Sequence, residues 1–406
     1  MLIDAGKDLI ASLGFNRAVS VHSNECTESE AIVLQQVKDL NVDLVYLNTD
    51  ENGSSFPAIF LKKVSTFDSM ALLEIAETQK NIWNYKKVLF LYVFSDTEIR
   101  IYNCAGKPIL KAQQTDYEKE LEGLEIGKYS LSNQQHLEEL NRVFSRIAID
   151  TGIVWTLEES DKIRTKINLK RRVDRYLVDS LVETTKQLEA DGLSEDLIHK
   201  LILRSVFLLY LEDRGATDDN LYQQINAKAT CYFDILQNVE DTYHLYRKLE
   251  AHFNGNVFTV KADEMKLVTK EQLAVIRKCF ISGNEDTAQV DLFSEWRLFY
   301  FSIIQIELLS EIYERFLLES NPEQKKRSGT FYTPPSLVEF ILNEKLPTAK
   351  SYTNYNVKIL DPSCGSGIFL VESFKRLVKR YENHHGKKLT DFKKLKKLLT
   401  ENIFGI

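Results

Sequence analysis

The chain has 406 residues, of which 44% are hydrophobic and 27% charged, which fits a globular protein of two or three structural units. No apolar run reaches the roughly 18 residues that a membrane-spanning helix needs, and the N-terminus lacks a secretory signal pattern, so no membrane association is expected. The five cysteines are far apart and form no CxxC pair, which predicts reduced thiols, a cytoplasmic location and no metal site: Cys26, Cys104, Cys231, Cys279 and Cys364.

The net charge of −7 is unevenly distributed along the chain. Residues 321–400 hold 16 Lys and Arg against 7 Asp and Glu, whereas the first 320 residues carry a net charge of −15. A basic surface that faces phosphates is compatible with this asymmetry, but a solvated helix face is the favoured interpretation. The lysines concerned are Lys387, Lys388, Lys393, Lys394, Lys396 and Lys397.

Residues 1–155 are predicted to form a mixed α/β domain. Strand-like apolar runs and one segment of helical composition alternate here. The predicted strands are Val42–Asn48, Phe56–Val64, Val88–Phe94 and Glu98–Asn103, and the predicted helix is Ser69–Tyr85. A short turn at Ser95–Thr97 is expected to join the last two strands.

Residues 156–320 are predicted to form a helical domain. Ser194–Asp213 places Leu197, Leu201, Val206, Leu208 and Leu209 largely on one side, and Gly215 follows at a position typical of a helix end. Leu298–Leu318 has a second helical apolar pattern. The polar segment Ser320–Gly329, which contains a proline, is the candidate joint to the next domain.

The remaining residues, 321–406, return to an α/β pattern. A helix is predicted at Pro335–Leu342, because prolines are tolerated in a first helical turn. A strand at Val357–Asp361, a helix at Gly367–Tyr381 and the start of a second strand at Glu401–Ile406 follow.

The most specific motif is Asp361-Pro-Ser-Cys-Gly-Ser-Gly367, which lies between the predicted strand and helix. Glycines let the backbone approach a ligand closely, and the helix N-terminus presents unpaired N–H groups. The string resembles motif I of S-adenosyl-L-methionine-dependent DNA adenine-N6 methyltransferases. That resemblance implies that Asp361, Pro362, Ser363, Cys364, Gly365 and Gly367 bind or shape the cofactor site. A nucleotide-binding loop of another Rossmann-like enzyme is the alternative.

A second motif, Ser328-Gly-Thr-Phe-Tyr-Thr-Pro-Pro335, lies about thirty residues upstream. It resembles motif X of the same enzymes, with a phenylalanine in place of the usual first tyrosine. In the family this segment closes over the methionine carboxylate of the cofactor. The resemblance therefore implies that role for Gly329, Phe331, Tyr332, Thr333 and Pro334.

The helical domain resembles fused type II (IIG-like) restriction-modification proteins at three places: Ser205–Gly215, Phe253–Phe258 and Ile306–Phe316. The fold class implied is α/β and α, with a nuclease-like N-terminal domain, a central helical domain and the start of a Rossmann-like methyltransferase domain at 321–406. Glu212, Asp213 and Arg214, at the end of a predicted helix, are expected to form salt bridges and not to act in catalysis.

The N-terminal domain of such fused proteins is often a PD-(D/E)xK-type nuclease, whose carboxylates hold Mg²⁺. Here Asp43 opens a strand, Lys62 and Lys63 end the next, and Gln79 and Tyr85 follow on a helix. Phe60 and Leu61 occupy the positions where a carboxylate is needed. We therefore expect a nuclease-like fold without cleavage, or no relation to nucleases, and we expect Trp83, Tyr85 and Tyr102 to be packing residues.

The sequence has no Asn/Asp-Pro-Pro-aromatic motif, which the family uses to activate the flipped adenine. The chain is therefore expected to be part of a larger enzyme that binds S-adenosyl-L-methionine and double-stranded DNA, with a specificity or nuclease subunit as a further partner. Two alternatives remain: a non-catalytic DNA-binding or interaction module on a degraded methyltransferase fold, and a protein or small-molecule methyltransferase.

Overall fold

The computed structural model describes residues 5–49, 55–109, 116–218, 220–253, 257–283, 297–305, 309, 312, 316, 333–365 and 367–406. The chain divides into two compact units, Met1–Ile304 and Gln305–Ile406. The predicted three-domain division, with boundaries near residues 155 and 320, stays a prediction. Within the described ranges, no helix combines the length and the hydropathy that a bilayer crossing requires.

The first unit is built on a six-stranded sheet of order β1-β2-β3-β4-β5-β6. Only β3 and β4 are parallel, and the other neighbours are antiparallel. The strands are β1 Val19–Ser20, β2 Leu44–Thr49, β3 Ser55–Lys63, β4 Phe90–Phe94, β5 Glu98–Asn103 and β6 Glu125–Ser130. The helices of this region are α1 Ala5–Ser12, α2 Glu28–Val37, α3 Ser69–Tyr85, α4 Tyr117–Glu122, α5 Gln134–Phe144, α6 Arg146–Asp150 and α7 Asp161–Lys166.

Both faces of this sheet carry buried side chains, which explains the continuous apolar runs in its central strands β3 and β4. Phe60 and Leu91 pack on one face with α2 and α3. Ile59 and Tyr92 pack on the other face with α1 and α5. The alternation follows from the two-residue period of a strand, which sends neighbouring side chains to opposite faces.

The rest of the first unit is helical. Its core holds a fully buried guanidinium, that of Arg204, which donates to the carbonyls of Val257 and Thr259 and pairs with Glu264. Three short 3₁₀ turns, Ile153–Trp155, Glu158–Ser160 and Leu169–Arg171, precede this region. The helices are α8 Val173–Ala190, α9 Glu195–Asp213, α10 Tyr232–Ile235, α11 Val239–Glu250, α12 Glu264–Leu267 and α13 Lys270–Ser282.

The second unit contains two parallel strands, β7 Ile359–Asp361 and β8 Ile403–Gly405. A small apolar core that includes Val338, Ile368 and Leu377 joins its helices to this sheet. The helices are α14 Pro335–Lys345, α15 Ile368–His385 and α16 Phe392–Asn402.

Most predicted elements are confirmed, including α3 with the predicted bounds and the β4–β5 hairpin. Gly215 follows α9 with a φ of 61°, as expected at a helix end. The helix predicted at Leu298–Leu318 is wrong in its first part, because residues 298–305 form turns, bends and irregular backbone and no helix. The main-chain N–H of Phe301 donates to the Asp213 carboxylate, and that of Tyr300 donates to the Asn84 side chain. These two N–H groups therefore bond to side chains and not to the carbonyls of a helix.

Candidate functional site

The motif I segment forms a tight turn between β7 and α15. Asp361 ends β7, and its Oδ1 accepts the main-chain N–H of Ser363 at 3.0 Å. The N–H of Gly367 then donates to the carbonyl of Cys364 at 2.7 Å. These two short-range bonds bring the six predicted site residues of this segment close together.

Two glycines give this turn its backbone conformation. Gly365 and Gly367 have φ values of 51° and 83°, in the left-handed region that side chains with a Cβ avoid. Gly367 is also the N-cap of α15, and none of the described side chains caps that end of the helix. The first N–H groups of α15 therefore point out of the helix at its positive end, where a helix favours anionic or polar ligands.

The turn is closed from the side by the second strand. The N–H of Cys364 donates to the carbonyl of Ile406 at 3.2 Å, and the N–H of Ile406 donates to that of Asp361 at 3.1 Å. Gly405 permits this approach, because a Cβ built on it would lie 2.6 Å from Leu370 Cδ1 and 3.0 Å from Cys364 Sγ. Sequence reasoning missed Gly405, although a glycine within a predicted strand often marks a close approach.

The motif X residues are only partly described. Gly329, Phe331 and Tyr332 lie outside the described residues, so their predicted role is untested. Thr333 is half-buried, and Pro334 is exposed and precedes α14, whose first turn uses the Pro334 carbonyl as acceptor. In the described part of this unit, no hydrogen bond joins either residue to the motif I turn, so their role at the cofactor stays a prediction.

In the first unit, the residues that the sequence analysis compared with a nuclease site form structural bonds. The carboxylate of Asp43 accepts the main-chain N–H of Lys63 at 2.7 Å. Lys62 is buried, and its Nζ lies 2.8 Å from Glu74 Oε1 and 3.0 Å from the carbonyl of Asn41. The ion pair lowers the pKa of Glu74 from its ordinary value through the hydrogen bond from Lys62.

The helix residues of that end have structural partners as well. Gln79 Nε2 donates to the carbonyls of Asn103 and Gly106, and Trp83, Tyr85 and Tyr102 are buried packing residues as predicted. Among the residues that the structure describes, no group of three or more His, Cys, Asp or Glu side chains is arranged to hold a metal ion.

The acidic pair at the end of α9 also serves the fold. Asp213 forms an ion pair with Arg297, so the salt bridging expected for these three residues is confirmed for Asp213. Arg214 donates to the carbonyl of Ile304 at 3.1 Å, and Glu212 accepts the N–H of Tyr232 at 2.7 Å. Burial raises the pKa of both Glu212 and Asp213 above their ordinary values.

Three comparisons place these features among known proteins. Residues 304–397 match the N-6 DNA Methylase family, a range that contains both predicted cofactor motifs. The chain is 29% identical over 235 residues to the methylase subunit of the type I restriction enzyme MjaVII from Methanocaldococcus jannaschii. That match covers 55% of this chain and 35% of the relative, so the chain spans about a third of the relative's length.

The alignment with the solved structure of a DrdV–DNA complex covers 95% of this chain and 38% of that one, at 13% sequence identity and a TM-score of 0.24. The fused type II architecture stays a prediction. The family match and the relative together confirm that the chain resembles the N6-adenine DNA methyltransferases of restriction-modification systems, with N-6 DNA methylase sequence at residues 304–397.

Proposed function

We propose that this chain is the cofactor-binding part of a site-specific DNA adenine-N6 methyltransferase of a restriction-modification or phage-defence system. The observation that carries the proposal is the motif I turn, which joins β7 through two glycines of positive φ to a helix whose start no described side chain caps. The N-6 DNA Methylase match over the same residues supports it. The methyl donor proposed is S-adenosyl-L-methionine.

The turn fits such a donor in its shape and its polarity. A Cβ on Gly367 would meet no atom within 4 Å, so the turn faces open space at that point. The N–H groups at the start of α15, which no described side chain caps, can donate to carboxylate or hydroxyl oxygens of the ligand, and Asp361 ends the preceding strand β7. Bound S-adenosyl-L-methionine would supply an electrophilic methyl group on its sulfonium.

Transfer of that methyl group needs further groups. Adenine N6 is a weak nucleophile, and these 406 residues contain no Asn/Asp-Pro-Pro-aromatic motif that could accept its hydrogen bonds and stack on the flipped base. We therefore propose that these residues bind the cofactor and that additional polypeptide completes catalysis. Double-stranded DNA and a specificity or nuclease subunit are the proposed partners.

The test compares two glycines that flank the same helix. Gly367 precedes α15 with a φ of 83°, and Gly386 follows it with a φ of 66°; both would carry a Cβ into open space. Alanine at either position strains the backbone by about 1–2 kcal/mol. Isothermal titration with S-adenosyl-L-methionine should show roughly tenfold weaker binding for Gly367→Ala and unchanged binding for Gly386→Ala.

Equal affinities in the two variants would place the ligand away from this turn. If the parent chain does not bind the cofactor at all, the proposal fails and a non-catalytic DNA-binding or interaction module takes its place. Transfer of a labelled methyl group to DNA by the 406 residues alone would contradict the proposed need for additional polypeptide.

A further inference from the structure

A lysine-rich segment of the second unit forms helix α16 and the loop before it. Residues 387–401 hold six lysines against Asp391 and Glu401, a net charge of +4. All six lysines are exposed. Within the part of the second unit that the structure describes, Lys397 alone among them has an ion pair, with Glu401 at 3.9 Å. The segment therefore presents a positive charge at the surface.

The lysines of α16 lie on one side of the helix. We name them the basic helix face: Lys393, Lys394, Lys396 and Lys397. With about 3.6 residues per helical turn, they fall within an arc of about 160°. Leu395 and Leu398 lie outside this arc and pack in the core of the second unit. The helix therefore separates an apolar side, which is used in folding, from a basic side.

The backbone that carries the basic helix face is fixed by hydrogen bonds. Asp391 caps α16 by accepting the N–H groups of Lys393 at 2.9 Å and of Lys394 at 3.3 Å. In the loop before it, the N–H of Leu389 donates to the carboxylate of Glu382 on α15 at 3.1 Å. Because the main chain is anchored, little backbone order is lost when a ligand binds these side chains.

The charges of α16 run against those that stabilise a helix on its own. Lys393 and Lys394 lie in the first turn, at the positive end of the helix dipole, and Glu401 lies in the last turn, at the negative end. Lys393 is followed by lysines three and four residues later, and Lys394 by one three residues later, so like charges are neighbours on the helix surface. A helix face that is merely solvated typically alternates charges of both signs. The arrangement becomes favourable when an external anion lies against the face.

The basic helix face is separate from the motif I turn. Helix α16 leads directly into the start of β8, whereas the motif I turn follows the end of β7. Because β7 and β8 are parallel, the start of β8 and the motif I turn lie at opposite edges of their sheet. A ligand of the basic helix face therefore binds apart from the proposed cofactor site.

We propose that the basic helix face binds the phosphate backbone of double-stranded DNA. Lysine contacts to phosphates provide affinity and orientation without reading the base sequence. A duplex carries one negative charge per about 1.7 Å of its axis, and the four lysines span about 6 Å of α16, so several phosphates can face them at once. The choice of DNA among polyanions rests on the proposed function, because DNA is the polyanion that a DNA methyltransferase meets.

The experiment measures binding of a fluorescein-labelled 30-base-pair duplex to the full 406-residue chain by anisotropy, between 50 and 200 mM salt. Lys393→Gln/Lys396→Gln is compared with Lys186→Gln/Lys228→Gln, a control that removes two exposed lysines of the first unit. Loss of two phosphate contacts should weaken binding roughly tenfold or more at 0.1 M salt and reduce the slope of log K against log salt by about 2. The control should keep the parental slope.

Urea unfolding of the same proteins provides a second readout. Glutamine forms helices about as well as lysine and relieves the repulsion between neighbouring lysines. The unfolding midpoint of Lys393→Gln/Lys396→Gln should therefore equal or exceed that of the parent. A lower midpoint would overturn the proposal, because the lysines would then serve the stability of α16. A second variant, Lys394→Gln/Lys397→Gln, should reproduce the loss of duplex binding.

Two binding results would also overturn the proposal. Parental duplex affinity in both lysine variants, or no duplex binding by the parent, would leave an acidic protein as the partner to consider. An equal loss in the control would show that the effect follows net charge alone. Cofactor titration of the same samples tests the proposed function separately, since Gly367→Ala should weaken cofactor binding and keep duplex binding, and the lysine variants should do the reverse.

Discussion

A carboxylate lies at the end of a strand in each of the two units, in the sheet of the first and in the motif I turn of the second. The bonds that surround the two carboxylates differ. At the sheet, Asp43 holds the main chain of Lys63, and Lys62 is neutralised by Glu74. At the turn, the carboxylate of Asp361 accepts the local N–H of Ser363, and none of the described side chains caps the start of α15. A carboxylate at a strand end thus indicates function only where its surroundings leave donors available to a ligand.

The comparison separates two kinds of experimental outcome. Groups that are already bonded within the first unit should change the free energy of unfolding when they are removed. Groups of the motif I turn should change ligand affinity more than stability.

Arg204→Ala should be the most destabilising change considered. Arg204 is fully buried and Glu264 nearly so, and the guanidinium also satisfies two main-chain carbonyls. Removing one partner of a buried ion pair leaves the other charge uncompensated and costs about 3–5 kcal/mol. Urea unfolding monitored by circular dichroism measures the loss. Arg247→Ala, at an exposed position on α11, should stay within about 0.5 kcal/mol of the parent, and similar losses in both variants would contradict the assignment.

Gly405→Ala should destabilise the second unit by overpacking. The added methyl group would lie 2.6 Å from Leu370 Cδ1, so the Leu370 side chain must move to another position, at a cost of about 1–3 kcal/mol. Because Cys364 is the next contact, cofactor affinity should fall in the same variant. Gly123→Ala is the control, since its Cβ would meet only the carbonyl of Glu120 at 3.4 Å. Faster hydrogen exchange in β8, with parental rates in the first unit's strands, is the expected readout.

The parts of the molecule that sequence predicted well are those governed by local chemistry. The helix α3 follows Asp68, whose side chain accepts the N–H groups of Met70 and Ala71, and it ends at Tyr85 as predicted. The motif I turn depends on glycines and one carboxylate within seven residues, so the string itself indicates its conformation. Capping and turn formation involve neighbours in sequence, and a pattern can therefore show them.

The parts that sequence missed depend on distant residues. The parallel pairing of β3 with β4 joins Phe60 to Leu91 across a helical crossover, and no local pattern specifies it. Residues 298–305 have a helical apolar period. The side chains of Asn84 and Asp213 nevertheless accept main-chain N–H groups of this segment, which is not helical. Gly405 matters only because α15 and the motif I turn pack against it. Each of these features is decided by contacts between residues that are distant in sequence, which a local pattern does not show.

Lys62→Met should cost about 1 kcal/mol, a smaller loss than Arg204→Ala. The side-chain stem stays buried, but the bonds from Nζ to Glu74 and to the carbonyl of Asn41 are lost. Glu74 is about half exposed, at 48%, so water can solvate its carboxylate once the pair is broken. Lys38→Met, at an exposed position after α2, is the matched control. If Lys62 were instead part of a working nuclease, the parent would cut DNA with Mg²⁺ and the variant would not; we expect neither to cut.

Glu212→Gln tests the smallest effect, a change in how stability depends on pH. Burial raises the folded-state pKa of Glu212 above its ordinary value of 4.5, so the folded protein binds this proton more tightly than the unfolded chain. Below pH 4.5 the carboxyl group is protonated in both the folded protein and the unfolded chain, so it does not make stability depend on pH. As the pH rises through the folded pKa, ionisation of the buried carboxyl lowers the stability of the parent.

The glutamine variant keeps an oxygen for the N–H of Tyr232 and cannot ionise. Its stability relative to the parent should therefore increase from pH 4 towards pH 8, as measured by urea unfolding at a series of pH values. Glu195→Gln, at an exposed position in the first turn of α9, provides the control and should show a difference from the parent that does not depend on pH. A flat difference for Glu212→Gln would mean that water or a cation reaches this carboxyl in the folded protein. Glu212 would then belong with the accessible groups of the motif I turn and not with the bonded groups of the first unit.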